Sequence, residues 1–394
     1  MSQQLISRSI DLKRLQDEGF DLEINSGYLL VKNIPYLNSN REIKYGMLVS
    51  ELTLAGDVTT KPSTHVIEFG GDHPCHKDGT EITQIKHAST RKQLTQGVEV
   101  QHTFSSKPPQ GYSNYYEKLT TYIAIISSPA QAIDPAVTAK NFSVIQSEEG
   151  ESPFCYHDTA SSRAGINLIS QKLALEDVAI IGLGGTGTYV LDLVAKTPVK
   201  RVHLFDGDKL FQHNAFRSPG APSIDELREI PYKVIYFKEL YSKMHQGIVP
   251  HAFYIEDEIS VNYLKEMKFV FLCLDRGTAK KLIIEKLEEF GIPFIDVGIG
   301  VNLVDESLGG ILRVTTSTIE QREHINKRVS FSDNNGNNDY AQNIQIADLN
   351  ALNAALAVIK WKKIFGFYRD FNGEHNTTYT IDGNTLINED QLEG

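Results

Sequence analysis

Apolar residues recur along this chain with two different rhythms. In residues 1–150 they come in short runs, Tyr28–Ile34, Ile43–Leu52, His65–Phe69, Glu81–Ile85 and Val98–Phe104, and each run predicts a strand. Leu12, Leu15 and Phe20 predict a short amphipathic helix ahead of them. Tyr115–Ile126 mixes aromatic and aliphatic residues and fits either a helix or a strand. The unit reads as α+β, with more strand than helix. Gln146–Pro153, rich in Glu, Ser and Gly, reads as a linker.

From residue 151 onward the rhythm becomes strand–helix alternation. Strands are predicted at Val178–Ile181, Val202–Phe205, Gly247–Tyr254, Phe269–Leu274 and Pro293–Val297. Helices are predicted near Thr186–Ala195, Tyr232–His245 and Thr278–Phe290; Val234, Phe237, Tyr241 and Met244 share one face of the second. Thr318–Gln342 is polar, and its Asp333–Asp339 stretch resembles a calcium loop only superficially, with Gly336 out of place and no closing Glu. A long helix is predicted over Asn343–Phe365, with Ile346, Leu349, Leu352, Leu356 and Ile359 as its apolar positions. The Thr378–Ile381 strand and an acidic tail follow. The expected fold is α/β: a Rossmann-like, mostly parallel sheet with helices on both faces over 151–394, preceded by a smaller α+β domain over 1–150.

Composition narrows the function classes. The 394 residues carry 39 Lys+Arg against 50 Asp+Glu, a net charge of −11. That balance argues against bulk binding to nucleic acid or an anionic membrane, while leaving room for a local basic pocket. The cysteines are Cys75, Cys155 and Cys273, too few for a disulfide scaffold and without a CxxC pair for zinc. They predict a reducing, cytoplasmic setting. Met1-Ser2-Gln3-Gln4 lacks the basic-then-apolar pattern of a signal peptide. No apolar run approaches the ~20 residues a membrane helix needs.

The chemistry concentrates after the first strand of the second unit. Val178–Ile181 runs into Gly182-Leu183-Gly184-Gly185-Thr186-Gly187. Glycines at a strand-to-helix turn let backbone N–H groups approach phosphates, and the helix N-terminus favours negative charge. Gly182, Gly184 and Gly187 satisfy G-x-G-x-x-G, and Asp206, at the end of the next strand, is placed for a ribose. On these residues alone an NAD-dependent oxidoreductase is the stronger reading. A turn without a ligand is disfavoured, because so many glycines weaken an element unless something comes close to the backbone.

The residues downstream change that reading. Asp206-Gly207-Asp208-Lys209-Leu210, then Asn214-Ala215-Phe216-Arg217, resembles the D-x-D-x-V…N-L-x-R-Q signature of the ubiquitin-activating superfamily, which includes the bacterial ThiF/MoeB-type sulfur-carrier activators. The resemblance continues through Lys233 at a helix start, Phe271-Leu272-Cys273-Leu274-Asp275-Arg276 and Phe294-Ile295-Asp296-Val297-Gly298. It covers residues 160–315, with the long helix and last strand included. It implies ATP-dependent adenylation of the C-terminal carboxylate of a small ubiquitin-like or peptide carrier, with release of pyrophosphate. In that reading Asp206 holds the ribose, Gly182, Gly184, Gly185, Gly187 and Asp208 belong with it to the nucleotide-binding residues, and Asn214 and Arg217 orient phosphate oxygens. Lys233 lies near the α-phosphate, Asp275 ligates Mg²⁺, and Arg163 reaches the γ-phosphate from the partner subunit of a homodimer.

Each of these residues also has a plain structural role available. Lys233 taken alone reads as an ordinary helix-start lysine, Asp208 as a turn cap, and Arg163 as one of the arginines common before helices. Asp275 ends a buried strand, where α/β folds bind ligands; Cys273, two residues earlier, reads as a small buried hydrophobe. Two departures from the family stand out. Ser218 replaces the signature Gln, and no cysteine follows Cys273, so no residue is placed to form the thioester that some members make. The acyl group would then pass to a cysteine on a conjugating or sulfur-transfer partner. A non-catalytic nucleotide-binding scaffold is the remaining alternative.

In the first unit, His65, His73, Cys75 and His76 fit no common zinc spacing. The preferred reading of this stretch is a strand and turn with exposed histidines. Cys75 is a candidate reactive thiol, favoured by His73 or His76, and Cys155, beside Tyr156 and His157, is a second. His73-Pro74 resembles the His-Pro of ubiquitin-conjugating folds over two residues. Lys107–Tyr112 with Tyr115 and Tyr116 gathers Pro, Gly and Tyr as binding loops do, or packs the unit's own core. The unit is expected to recruit a protein partner.

Overall fold

The computed structural model describes residues 2–147, 150, 152–331 and 344–391. The expected Asp333–Asp339 loop and Asn343 lie outside the described residues, as does part of the Gln146–Pro153 stretch. The chain divides into two compact units, Met1–Ile145 with Ser162–Ala164, and Gln146–Ser161 with Gly165–Gly394.

The first unit is an antiparallel sheet with helices. Strands β1 (Asp21–Asn25), β2 (Tyr28–Leu37), β3 (Ile43–Glu51), β6 (Val66–Gly70), β7 (Lys86–Thr95) and β8 (Val98–Ser105) run in the order β1-β2-β3-β6-β8-β7, beside a small β4–β5 hairpin (Leu54–Ala55, Val58–Thr59). Tyr115–Ile126 resolves as helix: Asn114 caps the Tyr115–Gln131 helix by accepting from the Glu117 N–H. Tyr115, Leu119, Tyr122 and Ile126, spaced three and four apart, are buried against the sheet. The tyrosines at 112 and 115 therefore belong to the core rather than to an open surface. Glu81–Ile85 is not a strand; Ile82 and Ile85 are core residues, so their apolar signal came from packing rather than pairing. β7 was invisible to hydrophobic pattern because it is an outer strand of Lys, Arg, Ser and Thr, the composition that protects a sheet edge.

The second unit is built on an eight-stranded sheet ordered β11-β10-β9-β12-β13-β14-β15-β16. β9 (Asp177–Ile181), β10 (Arg201–Phe205), β11 (Ile248–His251), β12 (Phe269–Leu272) and the start of β13 (Phe294–Val304) are parallel; β14 (Ser307–Ser317), β15 (Glu374–Thr380) and β16 (Thr385–Gln391) extend it antiparallel. The chain steps outward from β9 to β11, then returns to place β12 on the other side of β9. That reversal opens a crevice at the carboxyl ends of β9 and β12, where such sheets bind ligands. Apolar clusters cover both faces. β13 runs past the expected Val297 because Asp305 and Glu306, both with positive φ, turn it directly into β14. The expected acidic tail contributes β16. Among the described residues no helix is long and apolar enough to cross a membrane.

The Ala347–Ile364 helix turns a different face inward from the one its leucines predict. Asn350, Asn353, Ala354, Ala357 and Trp361 are buried, while Leu352 and Ile359 are exposed. The reason is a close helix–helix approach at Gly185, which small and hydrogen-bonding side chains permit and leucines would block.

One polar chain crosses the parallel sheet. Arg201 grips Asp177 through two bonds of 2.6 and 2.7 Å, Asp177 Oδ1 lies 2.8 Å from His203 Nε2, and His203 Nδ1 lies 3.0 Å from His251 Nε2. Burial, with His203 beside it, pushes His251 down to about 4. The unfolded chain binds that proton near the ordinary 6.5, so the folded state loses stability as pH falls from 6.5 towards 4. Thermal denaturation should show this decline, and His251→Phe, which keeps the stack on Phe205, should flatten it; an unchanged slope in the variant would contradict the assignment.

Candidate functional site

A cavity of about 590 Å³ occupies the crevice at the carboxyl ends of β9 and β12. Its walls bring together Gly182, Gly184, Gly185, Asp206, Asp208, Arg217, Lys233 and Asp275, residues spread over 94 positions of sequence.

The glycine turn is shaped largely by the protein's own atoms. A Cβ on Gly182 (φ +90) would lie 2.6 Å from the Cys273 carbonyl oxygen, one on Gly185 1.8 Å from Asn350 Nδ2, and one on Gly187 1.9 Å from the Gly182 carbonyl oxygen. These positions are glycine so that β12, the long helix and the turn itself can approach. Something does come close to the backbone, and at three of the four positions it is protein. Gly184 differs: the nearest atom to its Cβ would be Gln345 Oε1 at 3.9 Å. Its missing side chain faces the cavity, at the N-cap of the Gly185–Val194 helix, where helix N–H groups point towards an anion.

Asp206 ties this turn to the next one. Its carboxylate accepts the Leu183 N–H at 2.6 Å and the Asp208 N–H at 2.7 Å, and lies 3.6 Å from Lys233 Nζ. Burial raises its pKa, opposed by Lys233 and the two backbone donors. Lys233, itself buried, donates to Asp208 Oδ2 at 2.7 Å. Burial also works to raise Asp208, but the bonds from Lys233 and Tyr254 and the field of Arg276 outweigh it and lower its pKa. Arg217 follows a short helix, and its Nε is buried with no hydrogen-bond partner among the described residues. A buried donor left open on a cavity wall is the kind of group a ligand oxygen satisfies.

Three expected site residues are not cavity-lining. Gly187 sits inside the helix, packed on Gly182. Asn214 turns its side chain back onto its own helix, accepting the Phe211 N–H at 2.8 Å, so it shapes the loop that carries Arg217. Arg163 ends the Thr159–Arg163 helix, its guanidinium 5.8 Å from the Phe142 ring centroid.

The structure adds residues that motif reading passed over. Asp296, fully buried, is flanked by Lys280 at 2.8 Å and Arg313 at 2.6 Å, and both cations line the cavity. Arg313 fits because its β13 neighbour is Gly298, where a Cβ would lie 2.9 Å from Nη2. A charged residue inside the apolar run Phe294–Val297 was the available signal, since a buried carboxylate requires partners. Tyr254 lies over Gly207 and donates to Asp208 Oδ1. Thr186 donates to Asn350 Oδ1 at 3.0 Å, while Asn350 Nδ2 donates to the Arg217 carbonyl at 3.3 Å; the long helix thus braces both the glycine turn and the arginine.

The thiols lack the setting of activated nucleophiles. Cys75 is buried and donates to the His73 carbonyl at 3.3 Å; burial first, then Glu81, Asp78 and Asp72, push its pKa up. A reactive thiol needs the reverse. His73 offers no help, being buried with Nδ1 against the Pro74 carbonyl, so the expectation of an exposed histidine there is corrected too. Cys155 donates to the Ser242 carbonyl at 3.4 Å. Burial also raises Cys273.

Among the described residues no three His, Cys, Asp or Glu group into a protein-only metal site. The cavity does supply hard carboxylate oxygens at Asp275 and Asp208 beside phosphate-suited cations. That donor set fits Mg²⁺, which is commonly held by one or two carboxylates plus substrate phosphates and water.

The glycines yield separable variants. Gly185→Ala should lower stability by about 1–3 kcal/mol through overpacking. Gly184→Ala, with room for its Cβ, should leave the melting temperature unchanged and weaken nucleotide binding. Thermal melts with a nucleotide titration check both; equal stability loss in the two variants would contradict the distinction.

Comparison with known proteins adds the following. A model of the ThiF family matches residues 160–360, just over half of the chain. A second family model, DUF6791, a domain of unknown function, matches residues 10–159. No curated protein matches. Among solved structures, PaaA is similar at 18% identity and TM-score 0.45, covering 57% of this chain and 75% of that one. E. coli MccB with ATP is similar at 18% identity and TM-score 0.46, covering 59% and 69%. The microcin C7 biosynthetic enzyme MccB with N-formylated MccA is similar at 16% identity and TM-score 0.48, covering 59% and 70%. The family match and the ordered residues around the cavity lead to one conclusion: the chain belongs to the ThiF family of ATP-dependent adenylyltransferases.

Proposed function

We propose that the cavity adenylates the C-terminal carboxylate of a small ubiquitin-like or peptide carrier. One carboxylate oxygen attacks the α-phosphorus of ATP, the bond to the bridging oxygen breaks, and pyrophosphate leaves with that electron pair. The observation that carries the reading is the open Arg217 nitrogen on a wall shared with Lys233, Asp275 and the Gly184 turn.

The residues divide the work by chemistry. Bringing a carboxylate to a triphosphate concentrates negative charge, which fixed cations in a dry pocket offset. Arg217 offers a planar fork of donors to phosphate oxygens. Lys233, held between Asp206 and Asp208, presents a point charge whose place is set before ATP arrives. Asp206, with Asp208 behind it, faces the ribose. Asp275 would hold Mg²⁺, which when bound spreads the triphosphate charge. Lys280 and Arg313 share one buried carboxylate, leaving net positive charge at the β13 side of the cavity. In this reading Arg163 serves the site of a second copy in a homodimer, with Asn214 supporting the Arg217 loop.

The first unit, 1–150, recruits the carrier or the final acceptor, and 151–394 performs the activation. With no cysteine after Cys273 and Cys75 buried, the acyl group passes to a cysteine on a separate conjugating or sulfur-transfer protein. The setting is cytoplasmic.

The test is ATP–pyrophosphate exchange with candidate carriers. Wild-type protein should exchange label only with its carrier present, and Asp275→Ala and Arg217→Ala should each lose about 100-fold or more. Exchange that survives both substitutions would exclude this site.

A further inference from the structure

Part of the cavity lining is apolar and unused by the phosphate chemistry. Ile181, Phe205 and Ile255, buried members of one apolar cluster, contribute to that lining together with Leu274, which is partly buried and packs against that cluster. Beside them stands a layered wall. The Tyr254 ring rests on Gly207, where a Cβ would meet it at 2.6 Å, and the Arg276 guanidinium lies 4.6 Å from the ring centroid. Arg276 Nη1 donates to Glu256 Oε1 at 2.5 Å. Both of these charged side chains line the cavity and are about half exposed, at 57% and 51%.

The fold has little need of this pair. An ion pair so exposed adds little to stability, and Glu256 lies outside the stretches that carry the family resemblance. An apolar lining that also carries an acceptor and a donor side by side is instead complementary to a planar heterocycle. The apolar surface takes the ring face, and the pair takes the polar edge. Adenine presents an exocyclic N–H donor next to a ring nitrogen acceptor, which matches a carboxylate beside a guanidinium.

We propose that Glu256 and Arg276 read the edge of the adenine base, Glu256 accepting from the exocyclic amine and Arg276 donating to the adjacent ring nitrogen. The assignment rests on the nucleotide reading above and makes these two residues specificity determinants. Neither takes part in phosphoryl chemistry.

The test uses the full chain, Mg²⁺ and two triphosphates: ATP, and purine riboside 5′-triphosphate, which lacks the amine but keeps the ring nitrogen. Wild-type protein should bind ATP about tenfold or more tightly than the analogue, the value of a hydrogen bond to a charged group. Glu256→Ala should weaken ATP alone and bring the two within about twofold. Glu256→Gln, which keeps an acceptor, should retain a preference. Arg276→Ala should weaken both alike and leave their ratio unchanged. Both side chains reach solvent, so thermal melts should show folded variants. A wild-type protein without preference, or a preference that survives Glu256→Ala, overturns the assignment while leaving the ATP site standing. Failure of the wild type to bind either triphosphate overturns the nucleotide reading as well.

Discussion

The Asp206 carboxylate is the interaction on which the site depends. It is buried at the end of β10, yet it accepts one N–H from the glycine turn after β9 and another from its own Asp-Gly-Asp turn, with Lys233 completing its surroundings. Burial raises its pKa above the ordinary carboxylate value, and Lys233 and these two donors work against that rise. The same three contacts fix two loops and a lysine relative to one another. Removing Lys233 would therefore cost structure as well as charge, on the order of 3–5 kcal/mol for breaking a buried pair. Lys233 reaches across to Asp208, and Asp208 to Tyr254, so the ordering extends around the cavity from one buried acid.

A second constraint is distance. The long helix lies against the glycine turn so closely that Gly185 has no room for a methyl group. Asn350 fills the gap with hydrogen bonds to Thr186 and to the Arg217 carbonyl, coupling the helix to two cavity-lining loops. The cavity is thus held from the sheet side by Asp206 and from the helix side by Asn350. Asp296, with its two cations, holds a third wall.

These constraints explain what was legible in the sequence. Val178–Ile181, Val202–Phe205 and Phe269–Leu274 announced themselves because buried parallel strands are continuous apolar runs. Gly184, Asp206, Arg217, Lys233 and Asp275 could be found because they fall in a recognisable order after the strand ends, and each lines the cavity. Gly187 and Asn214 shared the motif but face protein, since a motif preserves folding residues and binding residues alike. The long helix misled through Leu352 and Ile359, because its inward face answers to close approach rather than to hydrophobicity. β7 and β16 were hidden because outer strands bury too little to need an apolar rhythm. Lys280, Arg313 and Tyr254 escaped because their partners are distant in sequence and their meaning comes only from Asp296 and Asp208.

The glycine turn by itself fits a dinucleotide, and everything else around the cavity argues for a triphosphate. Arg217 with its open Nε, Lys233, Lys280, Arg313 and the Asp275 carboxylate line the same cavity as the turn, where a nicotinamide dinucleotide would bring two phosphates and no metal. Equilibrium titration of the full chain with ATP·Mg²⁺ and with NADH separates these most directly. ATP should bind saturably at one site per chain, more weakly in Arg217→Ala, with NADH failing to compete. NADH binding more tightly than ATP·Mg²⁺, with Arg217→Ala without effect on either, would contradict it.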